Sequence, residues 1–431
     1  ISGASSSDLG INGTSSANSG ALNGGRMTSM ATVAGDDVLI NGVAMVANTA
    51  ALGADEVIND AEGNALTALT STADGMAAII NSGTSAHGAT ATASNSLIGA
   101  IATGVTNGAI TIGGATIAAA NNMAEFVANI NNAAGGAMAR LNAAGNGVEL
   151  FNTTGEDIVV AGVTAAVANT GLTAGTTIGS LSLSNTDGTK ALVSVGTNSG
   201  ADPTDANALG FNARTDASTI VSTSVNTATN LVAADDVTMN GISLGPNITS
   251  NPSAAALATH LNTYTDSTGV LATARTEVTM NMKATTAAGA TSVTTGGAFL
   301  INGTSTTLTT GTVTVNIGLI NTALTAAGQS IVASQGTGDH EIVLTSESGT
   351  TIEITDANAS VSSFTNSDGD LQPAATGEIL YGGQLTLTNT SGGDITFGTV
   401  NSTEAELDVS LAKIGIVAQG GGSSATTTST G

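Results

Sequence analysis

Short apolar stretches separated by tight-turn residues recur along the whole chain. Four stretches share one form: β-branched or aliphatic residues, then Asn-Gly or Gly-Gly, then a second apolar segment. They are VLINGVAM (38–45), AITIGGATI (109–117), VTMNGISL (237–244) and FLINGTST (299–306). Asn-Gly and Gly-Gly accept positive φ at both central positions of a two-residue turn. The pattern predicts four β-hairpins, with turns at Asn41 and Gly42, Gly113 and Gly114, Asn240 and Gly241, and Asn302 and Gly303.

A helical stripe of apolar residues follows each predicted hairpin. The four stripes are Met76, Ile79 and Ile80; Met123, Phe126, Val127 and Ile130; Leu257, Leu261 and Tyr264; and Val313, Ile317, Ile320 and Leu324. Their spacing is that of one helix face. Asn251 and Pro252 are predicted to cap and begin the third helix. Each stripe is expected to cover the sheet of its own module rather than a partner.

A third recurring element closes the pattern. An apolar residue precedes a glycine by five positions at Leu150 and Gly155, Leu183 and Gly188, Leu344 and Gly349, and Leu387 and Gly392. Alternating apolar residues on both sides of such a loop predict a β-hairpin. The fold class is therefore expected to be α+β and β-rich, built of tandem small modules of antiparallel hairpins, each with one short helix.

Internal repeats indicate how the modules are grouped. AGDDVLINGVAM (34–45) returns as AADDVTMNGISLG (233–245), and LSLSNTDGTKALVSV (181–195) returns as LTLTNTSGGDITFGT (385–399). Offsets near 200 residues predict two similar tandem units. We expect these segments: a leading segment and linker (1–35), module 1 (36–107), module 2 with a closing hairpin (108–215), a linker with module 3 (216–296), module 4 (297–372), a closing hairpin (373–416) and a flexible linker (417–431).

The combined motif resembles the repeat in the variable outer region of bacterial flagellins and of related cap and hook-associated proteins. It is carried by LING (39–42) with AAIIN (77–81), ITIGG (110–114) with VANIN (127–131), TMNG (238–241) with ATHLN (258–262), and LING (300–303) with GLINTAL (318–324). The resemblance implies the outer-domain segment of a larger flagellin, in which residues 1–35 are the exit from the filament core and residues 373–416 are the closing hairpin that returns to the core. It implies a structural component of the filament, located extracellularly on the bacterial flagellum, whose partners are other copies of itself in a helical array.

Charge and composition narrow the functional classes. There are 32 acidic and 7 basic residues, giving a net charge of −25, with no cysteine and 2% aromatic residues. An acidic chain repels phosphate backbones, so nucleic-acid binding is not expected. No apolar run approaches the roughly 20 residues that a bilayer span needs, so membrane insertion is not expected. The lack of cysteine excludes disulfides and thiolate metal sites.

Catalytic chemistry has no motif here. His87 and His340 are predicted in turns and His260 in a helix, each as a solvated or structural residue. No nucleophile elbow, Walker loop or Rossmann fingerprint occurs. The chain is therefore expected not to be an enzyme.

Acidic pairs supply the one alternative chemistry. The pairs are Asp36 and Asp37, Asp202 and Asp205, and Asp235 and Asp236. We interpret them as strand-edge and turn carboxylates that keep the surface soluble. Asn366, Asp368 and Asp370 alternate in a glycine-containing loop, as a weak calcium site would require, but no EF-hand glutamate follows. Calcium is the only cofactor that these residues suggest, and the serine and threonine side chains offer sites for an O-linked glycan.

Two rival functions follow from these features. One is a calcium-dependent surface adhesin or surface-layer array protein, and the other is a flagellar cap or hook-associated protein. A chelator-sensitive melting temperature would distinguish the first, and coiled-coil heptads in flanking segments would distinguish the second.

Overall fold

The computed structural model groups the chain into two compact units. Residues up to 201 and 205–211 belong to unit 1, whereas 202–204 and 212–417 belong to unit 2. The structure describes residues 20–30, 33–46, 58–59, 65–66, 70–100, 102, 104, 110–133, 135–142, 145–196, 201–216, 218–225, 229, 231–232, 235–246, 253–283, 299–310, 312–356, 361–369, 371–373, 378–399 and 404–417.

Unit 1 alternates short strands with short helices. Its described helices are α1 (Ala73–Ser82), α2 (Thr84–His87), α3 (Met123–Asn132) and α4 (Thr164–Asn169), and α5 (Pro203–Ala208) spans the division between the units. Its described strands are β1 (Ala21–Arg26), β2 (Val38–Ile40), β3 (Val43–Ala44), β4 (Ile58–Asn59), β5 (Ala65–Leu66), β6 (Ala89–Ile98), β7 (Ile110–Ile112), β8 (Ala115–Ile117), β9 (Met138–Leu141), β10 (Val148–Asn152), β11 (Ile158–Gly162), β12 (Gly175–Thr177), β13 (Ser180–Asn185) and β14 (Val193–Val195).

These strands form antiparallel sheets that draw on distant parts of the sequence. The largest has the order β1-β13-β6-β10-β9, and the others have the orders β12-β11-β7-β8, β14-β2-β3 and β4-β5. The five-stranded sheet therefore joins strands from the predicted segments 1–35, 36–107 and 108–215. Two helices, α1 and α2, follow the β2–β3 hairpin, and α3 and α4 follow the β7–β8 hairpin, so each of these modules has more than the one helix that the sequence predicts. The two modules also share a sheet.

Unit 2 has helices α6 (Ala254–Asn262), α7 (Thr265–Thr268), α8 (Val313–Ala326) and α9 (Glu404–Ala412) among its described residues. Its described strands are β15 (Ala213–Asp216), β16 (Thr219–Ser224), β17 (Val237–Met239), β18 (Ile242–Ser243), β19 (Val270–Met282), β20 (Phe299–Ile301), β21 (Thr304–Thr306), β22 (Ile331–Gln335), β23 (Glu341–Ser346), β24 (Ile352–Asp356), β25 (Val361–Thr365), β26 (Leu371–Pro373), β27 (Glu378–Tyr381), β28 (Gln384–Asn389) and β29 (Phe397–Thr399).

The sheets of unit 2 repeat those of unit 1. The order β16-β28-β19-β23-β22 corresponds to β1-β13-β6-β10-β9, β27-β24-β20-β21 corresponds to β12-β11-β7-β8, and β29-β17-β18 corresponds to β14-β2-β3. Unit 2 adds β15 beside β16, and β25 and β26 beside β19. The two similar halves are those that the sequence offsets predict, and the fold is α+β and β-rich.

Each unit buries the helical stripes against its sheets. In unit 1, Phe126 and Ile130 of α3 pack in a cluster with Val148 and Leu150 of β10. In unit 2, Ile320 and Leu324 of α8 pack with strand residues from β19 to β24. A helix that buries one apolar stripe is stabilised mainly by this packing rather than by its own propensity.

The third helix begins later than the sequence predicts. Asn251 and Pro252 lie outside the described residues, and α6 begins at Ala254, after Ser253. The Ser253 hydroxyl accepts a hydrogen bond from the Ala256 amide at 3.1 Å, which is the usual contact of an N-cap serine. Tyr264 follows the end of α6 and is not part of its helical stripe.

The predicted closing hairpins are wrong. β10 and β11 lie in different sheets, and so do β13 and β14, β23 and β24, and β28 and β29. The intervening glycines have φ between 75° and 90°, so the chain turns from one sheet into the next. A Cβ at Gly155 would lie 2.3 Å from the Cβ of Ala93, and one at Gly349 would lie 2.3 Å from that of Ala274. These two glycines therefore permit close backbone approach, which alternation alone does not reveal.

Candidate functional site

Four two-residue turns have the geometry that their sequences suggested. They join β2 to β3, β7 to β8, β17 to β18 and β20 to β21, all as antiparallel pairs. The first turn residues have φ of 53° at Asn41, 54° at Gly113, 50° at Asn240 and 48° at Asn302, and the following glycines have φ of 70° to 79°. Positive φ at both positions matches the right-handed twist of the flanking strands.

The three turn asparagines also tie each hairpin to its surroundings. The Asn41 side chain donates to the His87 carbonyl at 2.8 Å and accepts from the Leu192 amide at 3.0 Å. Asn240 donates to the Thr268 carbonyl at 2.8 Å and accepts from the Thr396 amide at 2.9 Å. Asn302 donates to the Thr351 carbonyl at 3.2 Å and accepts from the Glu353 amide at 2.7 Å. Asparagine therefore supplies two hydrogen bonds as well as tolerance of positive φ.

In the remaining hairpin, β7–β8, Gly113 takes the place of the turn asparagine. Its amide donates to the Val159 carbonyl at 2.8 Å, but a Cβ at this position would lie 1.9 Å from the Gly135 carbonyl oxygen. A side chain of any size would displace that backbone segment. The space in which a turn asparagine would lie is therefore occupied in this hairpin.

A second set of asparagines, the helix asparagines, lies on the four main helices, in the last turn of three of them and further inside α8 at Asn321. Each side chain donates to the carbonyl and accepts from the amide of one alanine in a following strand, at 2.8–2.9 Å and 2.7 Å. The pairs are Asn81 with Ala91, Asn131 with Ala139, Asn262 with Ala272, and Asn321 with Ala333. All four alanines are buried. This is the most regular polar feature of the described residues.

The helix asparagines replace missing strand partners. β9 and β22 are outermost in their described sheets, where Ala139 and Ala333 have a strand on one side only. β10 pairs with β6 only at Asn95–Ile98, so Ala91 also lacks a strand on that side. A buried backbone amide or carbonyl without a partner is costly, and an asparagine amide satisfies both. Sequence reasoning missed this role, although the asparagine that ends AAIIN, VANIN and ATHLN was its signal.

The three histidines occupy separate elements. His87, predicted in a turn, ends α2 and is buried, and burial lowers the pKa of its imidazole, an effect that the contact with the Ile80 carbonyl partly opposes. His260 lies in α6, with Nε2 2.9 Å from the Leu244 carbonyl oxygen. His340 lies in the turn before β23. Among the described residues, no group of three or more histidine and acidic side chains could hold a metal ion.

Several acidic residues are buried, which corrects their interpretation as surface carboxylates. Asp37, Asp202, Asp205 and Asp235 are each between 5% and 8% exposed. The Asp37 carboxylate accepts from the Ala34 amide at 2.6 Å, and that of Asp202 accepts from the Thr204 amide at 2.6 Å. Carboxylates that accept backbone hydrogen bonds order the loops that contain them. The sequence shows acidic residues near turns but not which of them point inward.

Asp235 also forms an ion pair. Its Oδ1 lies 2.6 Å from the Lys413 ammonium, and its carboxylate accepts from the Ser410 hydroxyl at 3.0 Å. Burial raises the pKa of Asp235, but hydrogen bonds from Lys413, Val232 and Ser410 outweigh this effect and leave it below its ordinary value. The pair links the segment before β17 to the end of α9.

The calcium candidates are only partly described. Asp370 lies outside the described residues. Asp368 is buried, and its Oδ1 accepts from the Ser224 amide at 2.7 Å and from the Gln384 side chain at 3.1 Å. The Asn366 side chain accepts from the Asp368 amide at 3.0 Å, which is an Asx turn. These contacts give Asp368 a structural role, and calcium binding stays a prediction.

One face of the five-stranded sheet of unit 1 carries exposed apolar side chains beside an ion pair. Ile98 and Met138 are each 46% exposed. On the same strand as Met138, Arg140 forms a bidentate ion pair with Glu149 and lies 5.0 Å from the centre of the Phe151 ring. Aromatic, methionine and arginine side chains are enriched in protein interfaces.

The comparisons with known proteins find little. No protein-family model and no curated protein matches the chain. A solved structure of the flagellar cap protein from Helicobacter pylori is 11% identical, covers 77% of this chain and 80% of its own, and has a TM-score of 0.12. A likeness at this TM-score carries no argument. Among the described residues, no helix combines the length and apolar character needed to cross a membrane.

Proposed function

We propose that this chain is a structural, non-enzymatic component of the bacterial flagellar filament. It would form surface-exposed outer domains that contact neighbouring copies. The four helix asparagines are the observation that supports this proposal, because they occur at each of the four motif copies that resemble the flagellin outer region. A motif whose asparagine has the same contact every time is a folding unit that can be repeated along a surface.

Charge fits the same role. A net charge of −25 on 431 residues keeps copies soluble when they are free. A filament core would hold neighbouring copies at high effective concentration, so that weak contacts between outer domains suffice. Small polar residues and exposed strands such as β9 and β22 would supply such contacts.

Immunogold electron microscopy on the bacterium that makes this chain tests the proposal. An antibody raised against the chain is applied to intact cells, with a strain lacking the gene as the control. Labelling along the filament is expected. Labelling at the filament tip alone would favour a cap protein, and labelling of the cell surface would favour an adhesin or array protein; either result overturns the proposal.

Chelation distinguishes the adhesin further. The melting temperature of the purified chain is measured with and without a calcium chelator, using added calcium as the reverse test. A filament protein of the proposed kind is expected to melt at the same temperature in all three conditions. A fall of several degrees on chelation would favour the calcium-dependent adhesin.

A further inference from the structure

The same helix-to-strand junction is built with different chemistry in the two units. In unit 1 it joins α2 to β6 through His87, and in unit 2 it joins α7 to β19 through Thr268. The glycine that follows each has positive φ, 74° at Gly88 and 72° at Gly269. The turn asparagine of the neighbouring hairpin donates to the carbonyl of each, from Asn41 to His87 and from Asn240 to Thr268. The two positions are structurally equivalent.

Each side chain accepts a hydrogen bond from the amide two residues ahead. The Ala89 amide donates to His87 Nδ1 at 3.2 Å, and the Val270 amide donates to the Thr268 hydroxyl oxygen at 3.1 Å. The other polar atom of each contacts a carbonyl: His87 Nε2 lies 3.0 Å from the Ile80 oxygen, and the Thr268 hydroxyl donates to Tyr264 at 2.9 Å. Because His87 Nδ1 accepts and Nε2 donates, the ring must be neutral.

We propose that acid opens the α2–β6 junction of unit 1, whereas the equivalent α7–β19 junction of unit 2 stays closed. A proton on His87 Nδ1 would point at the Ala89 amide hydrogen, so this hydrogen bond must break. Threonine cannot take up a proton in this range and keeps both of its contacts. Acid therefore loosens the start of β6 and, through Asn41, the β2–β3 hairpin, while unit 2 stays closed.

Among the described residues around His87, none of the charged groups on the neighbouring elements forms a contact with its ring. α1 carries Asp74 in its first turn, two turns away from Ile80, and Asp36 and Asp37 precede β2. Asp187 and Lys190 follow β13 in the chain, and the Asp187 carboxylate accepts a hydrogen bond from the Thr189 amide. β6 and the β2–β3 hairpin carry no charged residue. The pKa of His87 is lowered by burial, with only the Ile80 carbonyl opposing.

The direction of the effect follows from proton linkage. The pKa of His87 in the folded unit lies below its ordinary value of 6.5. The opened junction therefore binds a proton more readily than the closed one, and closure is fully favoured only above about pH 6.5. Below that pH, closure weakens by up to about tenfold for each pH unit, the limit for one proton, until the pKa of the closed form is passed.

Amide hydrogen exchange followed by NMR on the whole chain tests the proposal. Protection factors are measured at Ala89 and Val270 between about pH 7.5 and pH 5. Protection at Ala89 is expected to fall by about tenfold or more, and protection at Val270 is expected to stay constant. Two variants exchange the junction side chains between the units. His87→Thr should abolish the fall in protection at Ala89, and Thr268→His should create a fall in protection at Val270.

Three outcomes would overturn the proposal. The first is constant protection at Ala89 in the natural chain. The second is a parallel fall at Val270, which would indicate a general acid effect. The third is a fall at Ala89 that persists in the His87→Thr chain. If Thr268→His does not fold, the His87 ring proton signal of the natural chain decides, because a midpoint at or above pH 6.5 would contradict a closed, neutral ring.

Discussion

Units 1 and 2 share a strand order but differ in some of the residues at the turns and junctions that connect the strands. Both have the helix asparagines, and both place a glycine where β10 or β23 leaves its sheet. They differ at the junctions α2–β6 in unit 1 and α7–β19 in unit 2. They differ at one turn residue, which is Gly113 in unit 1 and Asn302 in unit 2. They also differ in the next element, because α4 follows β11 in unit 1 and β25 follows β24 in unit 2.

The difference separates two kinds of structural demand. A strand edge inside a unit needs one donor and one acceptor at fixed positions, and an asparagine amide provides both, so the same residue occurs all four times. A junction needs an acceptor for one amide and a donor for one carbonyl earlier in the chain, which the two nitrogens of a neutral histidine or a single threonine hydroxyl can supply. Positions of the second kind can change chemistry without changing the fold.

The largest expected effect comes from removing one helix asparagine. Asn131→Leu leaves the buried amide and carbonyl of Ala139 without partners, at a cost of about 3 kcal/mol in the free energy of unfolding. Asn132→Leu is the matched control, because Asn132 is the exposed neighbour at the same helix end. We expect chemical denaturation to show a change of about 0.5 kcal/mol or less for the control.

The same substitution in unit 2 sharpens the comparison. Asn321→Leu removes the equivalent pair of hydrogen bonds to Ala333 and should cost a similar amount. Equal losses for Asn131→Leu and Asn132→Leu would mean that the paired hydrogen bonds do not stabilise the units.

The next effect comes from giving one hairpin the turn residue of its counterpart. Gly113→Asn introduces a Cβ that would lie 1.9 Å from the Gly135 carbonyl oxygen, so the backbone must move. We expect a loss of about 2 kcal/mol by chemical denaturation. The reverse change, Asn302→Gly, creates no clash and loses only the two side-chain hydrogen bonds, about 1 kcal/mol. An unchanged or higher stability of Gly113→Asn would show that the Gly135 segment is free to shift.

The sequence predicted local structure better than the pairing of strands. The turns at Asn41 and Asn240 and the helix containing Phe126 follow from residue types within a few positions of each other. The segments around Gly155 and Gly349 looked like hairpins because alternation has the same period whether the next strand pairs with its predecessor or enters another sheet. The choice depends on close approaches to Ala93 and Ala274, far away in sequence.

The polar contacts were predictable only in part. The motif that ends in Asn81 indicated a repeated asparagine, but its hydrogen bonds depend on which strand edge is left open, a property of the whole sheet. Burial of Asp235 depends in the same way on Lys413, which is 178 residues later. Charge patterns near a turn do not contain that information.

A smaller effect is expected at the second turn residues. Gly42 has φ of 79° and Gly241 has φ of 78°, and a Cβ at either would meet open space. Gly42→Ala and Gly241→Ala should therefore each cost about 1 kcal/mol, from backbone strain alone. Thermal unfolding of the two variants should give losses that agree within a few tenths of a kcal/mol. Clearly unequal losses would show that the two hairpins differ in more than their side chains.

The smallest effect is expected for self-association. Both units have exposed apolar residues on their strands: unit 1 has Ile98 and Met138 on one sheet face, and unit 2 has Leu271 on β19 and Val332 on β22. The chain has 7 basic and 8 aromatic residues, so tight contacts of the usual aromatic and arginine type are scarce. At physiological salt, charges are screened beyond about 8 Å, which leaves weak repulsion between copies.

Sedimentation velocity of the free chain at micromolar concentration should therefore show a monomer. Raising the salt to about 0.5 M, where charge repulsion is screened more strongly, should leave it monomeric, because aromatic and arginine side chains that could form a tight contact are scarce. Met138→Ser should leave the profile unchanged. A stable dimer that Met138→Ser abolishes would show that unit 1 carries a true interface, and would favour an array or adhesin that assembles without a filament core.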